Sequence, residues 1–316
     1  MQRRNGARAG AIGYSADILG FSQSAFALLR DLIAQNAGVY FGDDKRDILA
    51  DKLSDLVAAH GMSSFVDYYY LLRYDADADA HWSELLDHLA VPETFFWRQP
   101  EQILALAQEV APRHFEMHLG RPLRIWSAGC CTGEEPISLA IALLEAGLLG
   151  RHPIEIVGSD ASPAVLQRAR EGLYGERSFR NFPPERRARY FQPDADRWRV
   201  DPQLQKYIRW TTANLVDEAA VRPLASADVI FCRNVFIYFS DPTIVRVARL
   251  FEAEMPSDGY LFLGAAESLT RLDAGFDLAE VAGAFAYVKS STSGPPRERA
   301  ATTVPIGPSP SQRAST

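Results

Sequence analysis

Residues 125–136 read Ile-Trp-Ser-Ala-Gly-Cys-Cys-Thr-Gly-Glu-Glu-Pro and run into an apolar helical stretch over 137–144. Leu123, Ile125 and Trp126 make a short apolar strand, after which the chain enters a loop carrying Gly129 and Gly133. A helix follows, with Glu134 and Glu135 in its first turn. Pro136 is tolerated there because the first helical N–H groups have no partner inside the helix. Strand, glycine turn and helix in this order open the nucleotide-binding half of a doubly wound α/β sheet. The glycines are spaced Gly-x-x-x-Gly, unlike the Gly-x-Gly-x-x-Gly of dinucleotide folds. The acidic helix start also disfavours phosphate, which binds at a helix N-terminus through free N–H groups and positive potential. Carboxylates at this place suit a cationic ligand that has no phosphate. S-adenosyl-L-methionine fits, with its sulfonium, its ammonium and its ribose hydroxyls. The plainer reading is a glutamate stabilised by the helix dipole in an ordinary strand–helix turn, so the rest of the chain has to discriminate.

Length and composition set the frame. The chain has 316 residues, 47% hydrophobic and 23% charged, which supports a real core and no wholly disordered class. A net charge of −7 argues against nucleic acid as the main partner, since duplex binding needs a clustered basic face. The three cysteines, Cys130, Cys131 and Cys232, make no disulfide framework and fit a reducing cytoplasm. They lack partners at metal-ligand spacing, so small buried residues is the better reading and no metal is expected. No apolar stretch of signal-peptide or membrane-spanning length is present. Residues 1–13 read as a flexible start, and 290–316, rich in Ser, Pro, Thr and Arg, as a disordered tail.

From about 22 to 89 the apolar residues recur at helical spacing. Phe26, Leu29, Leu32 and Ile33 mark one helix; Ile48, Leu49, Leu53, Leu56 and Val57 mark a second that stops at His60-Gly61. Ser63-Ser64 caps a third beginning at Phe65, and Trp82, Leu85, Leu86 and Leu89 mark a fourth. This predicts an all-α N-terminal domain over 14–90. A linker and helix over 91–118 follow, containing the aromatic run Phe95-Phe96-Trp97 beside Arg98, and then an α/β domain over 119–289. The rings read as a plug between modules, whereas an Arg among rings is rarely buried unless paired.

In the α/β part, 154–160 is a strand ending in Asp160, and Ser162-Pro163 opens a helix. An acid at this strand end accepts hydrogen bonds from ribose hydroxyls in such folds; the plainer reading is a helix cap. Residues 172–212 break the alternation, and Trp198–Val200 with 207–210 read as a short β insertion over about 186–212. Residues 228–234 form an apolar core strand ending in Asn234, with Tyr238 close behind. Helix 242–254 and strands at 260–263 and 284–288 finish the sheet. Ligands in open α/β sheets lie beyond the carboxyl ends of the strands, and Glu134, Asp160, Asn234 and, after the insertion, Asn214-Leu215 all fall there. The strand exit reads Cys-Arg-Asn-Val, with no Asn/Asp-Pro-Pro-Tyr of the kind that holds a base amino group. No Ser/His/Asp or Cys/His grouping for hydrolysis is evident.

With these residues in place, the chain resembles the CheR-type chemotaxis receptor methyltransferases over about 21–289. The resemblance rests on Pro92-Glu93-Thr94-Phe95-Phe96-Trp97-Arg98, on 127–136, on Asp160 with Ala169-Arg170 and Tyr174, and on Arg189-Tyr190-Phe191. Asn214-Leu215, the run 231–239 and Glu267-Ser268-Leu269 complete it. It implies a class I methyltransferase fold and a cytoplasmic enzyme of chemosensory signal transduction. The reaction implied is transfer of a methyl group from S-adenosyl-L-methionine to glutamate side chains on the helical bundle of a chemoreceptor, leaving S-adenosyl-L-homocysteine. By position it implies that Thr94, Arg98, Gly129, Glu134, Asp160, Asn214, Leu215, Asn234 and Val235 hold the cofactor. Arg98 would meet its carboxylate, Glu134 would meet its ammonium, and Tyr238 would lie beside the transferred methyl. A glutamate of pKa ~4.3 is already ionised at neutral pH, so no general base is expected.

Three departures from the family bear on partners. Pro92 stands where many relatives have Asn. The helix over 44–59, often a basic stripe that meets an acidic receptor helix, reads Lys45, Arg46, Asp47, Asp51, Lys52, Asp55 and is largely neutral. The β insertion, which in some members grips a receptor's C-terminal peptide, looks short between Phe191 and Trp198 and argues against tethering. Together they suggest a dedicated receptor in a non-standard chemosensory system. The competing readings are a methyltransferase for another acidic protein or carboxylate, and a cofactor-binding signalling scaffold.

Overall fold

The computed structural model describes residues 21–290, so the start expected to be flexible and nearly all of the expected tail lie outside the described residues. Helices α1 (Gln23–Ala37), α2 (Arg46–Ala59), α3 (Phe65–Tyr74) and α4 (Ala78–Leu89) come first. Their ends are set locally. The hydroxyls of Ser22 and Ser64 accept the N–H groups of Ala25 and Asp67 as N-caps, and α1 stops at Gly38, whose φ is +76°. Phe26, Leu29, Ile33, Leu49, Leu53, Phe65, Tyr68 and Leu85 face inward and form a core of their own. His60 at the end of α2 bonds Glu84 of α4 at 2.7 Å, and His81 approaches Asp75 at 3.4 Å, so the histidines here pair with carboxylates across helix ends.

Helix α5 (Pro100–Ala105) passes through a π-helical turn over Leu106–Val110 into α6 (Ala111–Met117). The α/β part then runs β1 (Leu123–Ala128), α7 (Glu134–Glu145), β2 (Ile154–Asp160), α8 (Pro163–Glu171) and β3 (Leu173–Tyr174). Next come α9 (Pro184–Tyr190), β4 (Phe191–Asp194), β5 (Arg197–Val200), α10 (Pro202–Gln205) and β6 (Ile208–Thr212). It ends with α11 (Glu218–Ala225), β7 (Val229–Cys232), α12 (Asp241–Glu254), β8 (Tyr260–Leu263), β9 (Phe276–Val281) and β10 (Ala284–Lys289).

Seven strands form one sheet in the order β6-β2-β1-β7-β8-β10-β9. All pairings are parallel except those of β10, which runs antiparallel to β8 and β9. Ile125, Phe231 and Phe262 point to the layer of α5 to α7, and Trp126, Ile230 and Leu261 to the layer of α11 and α12. Strand order reverses at β1, between β2 and β7, and this places the ligand crevice outside the carboxyl ends of those strands. This is the class I methyltransferase arrangement preceded by an all-α domain. Among the described residues no helix is long and apolar enough to cross a membrane.

Two expectations are corrected. Residues 207–210 do not belong to an insertion: β6 pairs in parallel with β2 from Ile156↔Ile208 to Asp160↔Thr212 and forms the sheet edge. An edge strand is covered unevenly, so its residues alternate like those of an insertion hairpin. The actual small sheet is β3-β5-β4 and begins earlier, at Leu173. Strand β9, at the other edge, went unread because Asp277 and Glu280 interrupt its apolar pattern, as charges commonly do on edge strands. The aromatic plug packs onto the small sheet. The Phe96 ring lies 4.8 Å from Tyr174, 5.0 Å from Phe179 and 4.8 Å from Phe191, which pins 92–98 against the mouth of the crevice.

Candidate cofactor and active site

A cavity of about 250 Å³ opens at the switch point, with walls from both the all-α and the α/β parts. Thr94, Arg98, Gly129, Asp160, Asn214, Leu215, Asn234, Val235 and Tyr238 all line it. Residues separated by more than a hundred positions are thus brought together by the ends of β1, β2, β6 and β7.

The loop after β1 is shaped by left-handed residues: Gly129 at φ +68°, Cys131 at +51° and Gly133 at +92°. A Cβ at Gly129 would lie 2.5 Å from Val235 Cγ2, so only glycine lets the β1 and β7 exits approach this closely. The Cys131 N–H donates to Asp160 Oδ2 at 2.9 Å and the Ser162 N–H to Oδ1 at 3.0 Å. Each oxygen of Asp160 keeps a lone pair for a further donor. Burial pushes the Asp160 carboxyl above its usual range while these N–H groups pull it down. Cys130 and Cys131 both line the cavity, the first buried and the second half-buried, whereas Cys232 is buried away from it.

The two glutamates sit in different surroundings. Glu134 is only 2% exposed and is not among the residues lining the cavity. Its carboxylate accepts Thr132 Oγ1–H at 2.6 Å and Ser178 Oγ–H at 2.9 Å, and burial raises its pKa. Glu135 lines the cavity instead. It accepts the Ser127 hydroxyl at 2.7 Å and pairs at 2.8 Å with Arg233, whose side chain is 2% exposed. Glu134, expected to meet the ligand's ammonium, thus lies outside the cavity wall, where Glu135 stands.

Arg233 is part of the framework that sequence reasoning missed. Its guanidinium also donates to the Arg98 carbonyl at 2.6 Å and to Gln102 Oε1 at 3.2 Å. It therefore ties the 92–98 segment to the β7 exit. Arg98 itself reaches the cavity, its Nη1 steadied by the Glu93 carbonyl at 2.9 Å. Pro92 is not in the wall; Val91, Glu93 and Thr94 are. Tyr238 ends a short 3-10 turn over Phe236–Tyr238, remains 36% exposed at the rim, and has its hydroxyl pKa raised by partial burial.

The all-α domain forms the remaining wall, also unread in the sequence. Ala37, Val39, Leu86 and Leu89 line the cavity. The Tyr40 N–H donates to the Tyr238 carbonyl at 2.8 Å, and Asn214 Nδ2 donates to the Asn36 carbonyl at 2.5 Å. Asp87 accepts the Ser162 hydroxyl at 2.5 Å and the Ala164 N–H at 3.1 Å. No spacing signal could have announced contacts between elements this far apart.

The donor set fits S-adenosyl-L-methionine. Asp160 offers open acceptor capacity, Asn234 Oδ1 is buried without a hydrogen-bond partner, and a cation and an anion (Arg98 and Glu135) lie in one wall for an amino acid's two charges. Comparison with known proteins agrees. Residues 24–90 match the family described as CheR methyltransferase, all-alpha domain, and residues 92–284 match CheR methyltransferase, SAM binding domain. Chemotaxis protein methyltransferase 2 of Vibrio cholerae is 33% identical over 84% of this chain and 92% of its own. The chemotaxis protein methyltransferase of Salmonella typhimurium is 33% identical over 82% and 89%. The probable biofilm formation methyltransferase WspC of Pseudomonas putida is 34% identical over 80% of this chain and 61% of its own. The chain belongs to the CheR methyltransferase family.

Proposed function

We propose that this chain is a protein-glutamate O-methyltransferase that esterifies glutamate side chains on the helical bundle of a chemoreceptor. The observation that carries the reading is the cavity itself, which combines Asp160, Arg98 and Glu135 in its wall with Tyr238 and Ile237 exposed at its rim. When bound, S-adenosyl-L-methionine supplies a methyl group on a positively charged sulfur, a leaving group that needs no proton. Asp160 accepts from the ribose hydroxyls, and Asn214 and Leu215 flank the adenine. Arg98 pairs with the carboxylate and Glu135 with the ammonium; Gly129, Asn234 and Val235 form the floor. Tyr238 and Ile237 align the acceptor and keep water from its carboxylate. The acceptor is ionised at neutral pH, its ordinary pKa being ~4.3, so the rim needs no base. The raised pKa of Tyr238 suits a neutral hydroxyl there.

The receptor is proposed to be a dedicated one. Near the start of α2, Arg30 pairs with Asp43 at 2.5 Å, Lys45 with Asp44 at 3.1 Å and Arg46 with Asp47 at 3.0 Å. These cations are neutralised within the chain and offer little to an acidic partner helix. Radiolabelled methyl transfer to cytoplasmic fragments of receptors encoded beside the gene tests the reading. Base-labile label in one of them is expected; label that survives base in every substrate would overturn it.

A further inference from the structure

We propose that Glu267 is the positioning residue that sets Asn234 and the Tyr238 turn for methyl transfer; this rests on the proposed function. Glu267 does not line the cavity, yet its carboxylate accepts three backbone N–H groups from the β7 and β8 exits beside it. Oε2 accepts the N–H of Asn234 at 2.7 Å and of Gly264 at 2.6 Å, and Oε1 accepts the N–H of Ile237 at 3.3 Å.

These bonds fall where the sheet can no longer supply them. Strands β7 and β8 pair from Val229↔Tyr260 to Cys232↔Leu263 and then part. Beyond that point the backbone N–H groups of the two exits need other acceptors. Asn234 sits at φ +61°, a left-handed conformation that asparagine adopts more readily than most residues with a side chain. The Glu267 carboxylate accepts its N–H and holds that conformation in place. The fit is close. A Cβ at Gly264 would lie 2.7 Å from Glu267 Oε2 and 2.8 Å from Asn234 Nδ2, so the glycine leaves room for this carboxylate.

The bonding is asymmetric, and that makes the role testable. In Glu267→Gln the one carbonyl oxygen can keep the two bonds to Asn234 and Gly264. The amide nitrogen then faces the Ile237 N–H, donor against donor. Glu267→Gln should therefore hold the Asn234 side and release the Tyr238 turn.

The measurements are S-adenosyl-L-homocysteine calorimetry, amide hydrogen exchange and methyl transfer on the full chain. For Glu267→Gln, S-adenosyl-L-homocysteine affinity should stay within about threefold of wild type while kcat falls about tenfold, the loss of one charged hydrogen bond. Exchange should quicken at Ile237 and Tyr238 and stay slow at Asn234. Glu267→Ala should lose about tenfold in affinity as well. The proposal is overturned if Glu267→Gln leaves kcat and the Ile237 amide unchanged. It is equally overturned if both variants, while folded, change only the melting temperature. Calorimetry and exchange need no acceptor, so a wild-type chain that methylates no receptor would sink the activity while Glu267 is still judged.

Discussion

Glu134 and Glu135 are sequence neighbours, yet on a helix they point about 100° apart, and Glu135 lines the cavity while Glu134 does not. Glu135→Gln should raise the KM for S-adenosyl-L-methionine about 10- to 100-fold by removing a charged partner. It should also cost about 3 kcal/mol in denaturant unfolding, because Arg233 is left buried without its counter-ion. Glu134→Gln should leave KM within about threefold. Its signature is pH. Burial lifts the folded pKa of Glu134 above its unfolded value, so its contribution to stability is present in acid and is lost as pH rises through the folded value. Melting of Glu134→Gln relative to wild type should therefore improve as pH rises above the ordinary carboxyl range; a flat difference would contradict the sign. The motif was legible in the sequence as a place for carboxylates, but which carboxylate lines the cavity was not. Helix phase depends on the left-handed turns at Cys131 and Gly133, and cysteine there gives no forewarning. Glu267 was visible as a residue shared with the family, with nothing local to say that it reaches Asn234 and Ile237.

At the level of elements, the strand–loop–helix of β1 and α7 was readable because its chemistry is local: glycines where φ is positive, acids in the first turn, an apolar run behind. Gly129 should be the position least tolerant of change. Gly129→Ala combines a φ of +68° with a Cβ 2.5 Å from Val235, and should cost about 2–3 kcal/mol with at least a tenfold loss of S-adenosyl-L-homocysteine affinity by calorimetry. The plug is different in kind. Phe96 is fully buried among Tyr174, Phe179, Phe182 and Phe191, so Phe96→Ala should cost about 3–5 kcal/mol and loosen Thr94 and Arg98 with it. The elements that were misread, β6 and β9, are the two edges of the large sheet. An edge strand is half-covered and tolerates charge, so its pattern carries less information than that of β1 or β7, which are covered on both faces.

At the scale of the whole molecule, the all-α domain completes the site and does not merely precede it. The segment after α1 is stitched to the Tyr238 turn by the Tyr40 N–H and by a bridge between Val39 and Phe239. Gly38 sits in that seam at φ +76°, and a Cβ there would lie 2.6 Å from the Phe239 ring. Gly61 provides the control: it lies in the same domain at φ +65°, but a Cβ would meet nothing within 4 Å. Both substitutions to alanine carry the backbone cost of about 1 kcal/mol for a left-handed residue. Only Gly38→Ala drives a wedge between the domains. Thermal unfolding should therefore fall in both variants, whereas S-adenosyl-L-homocysteine affinity should fall about tenfold in Gly38→Ala and hold in Gly61→Ala. Equal affinities would mean that the α/β domain binds the cofactor unaided. Unequal ones would make cofactor affinity a property of the seam, so that anything docking on the all-α domain acts on the cofactor through Phe239 and Tyr238.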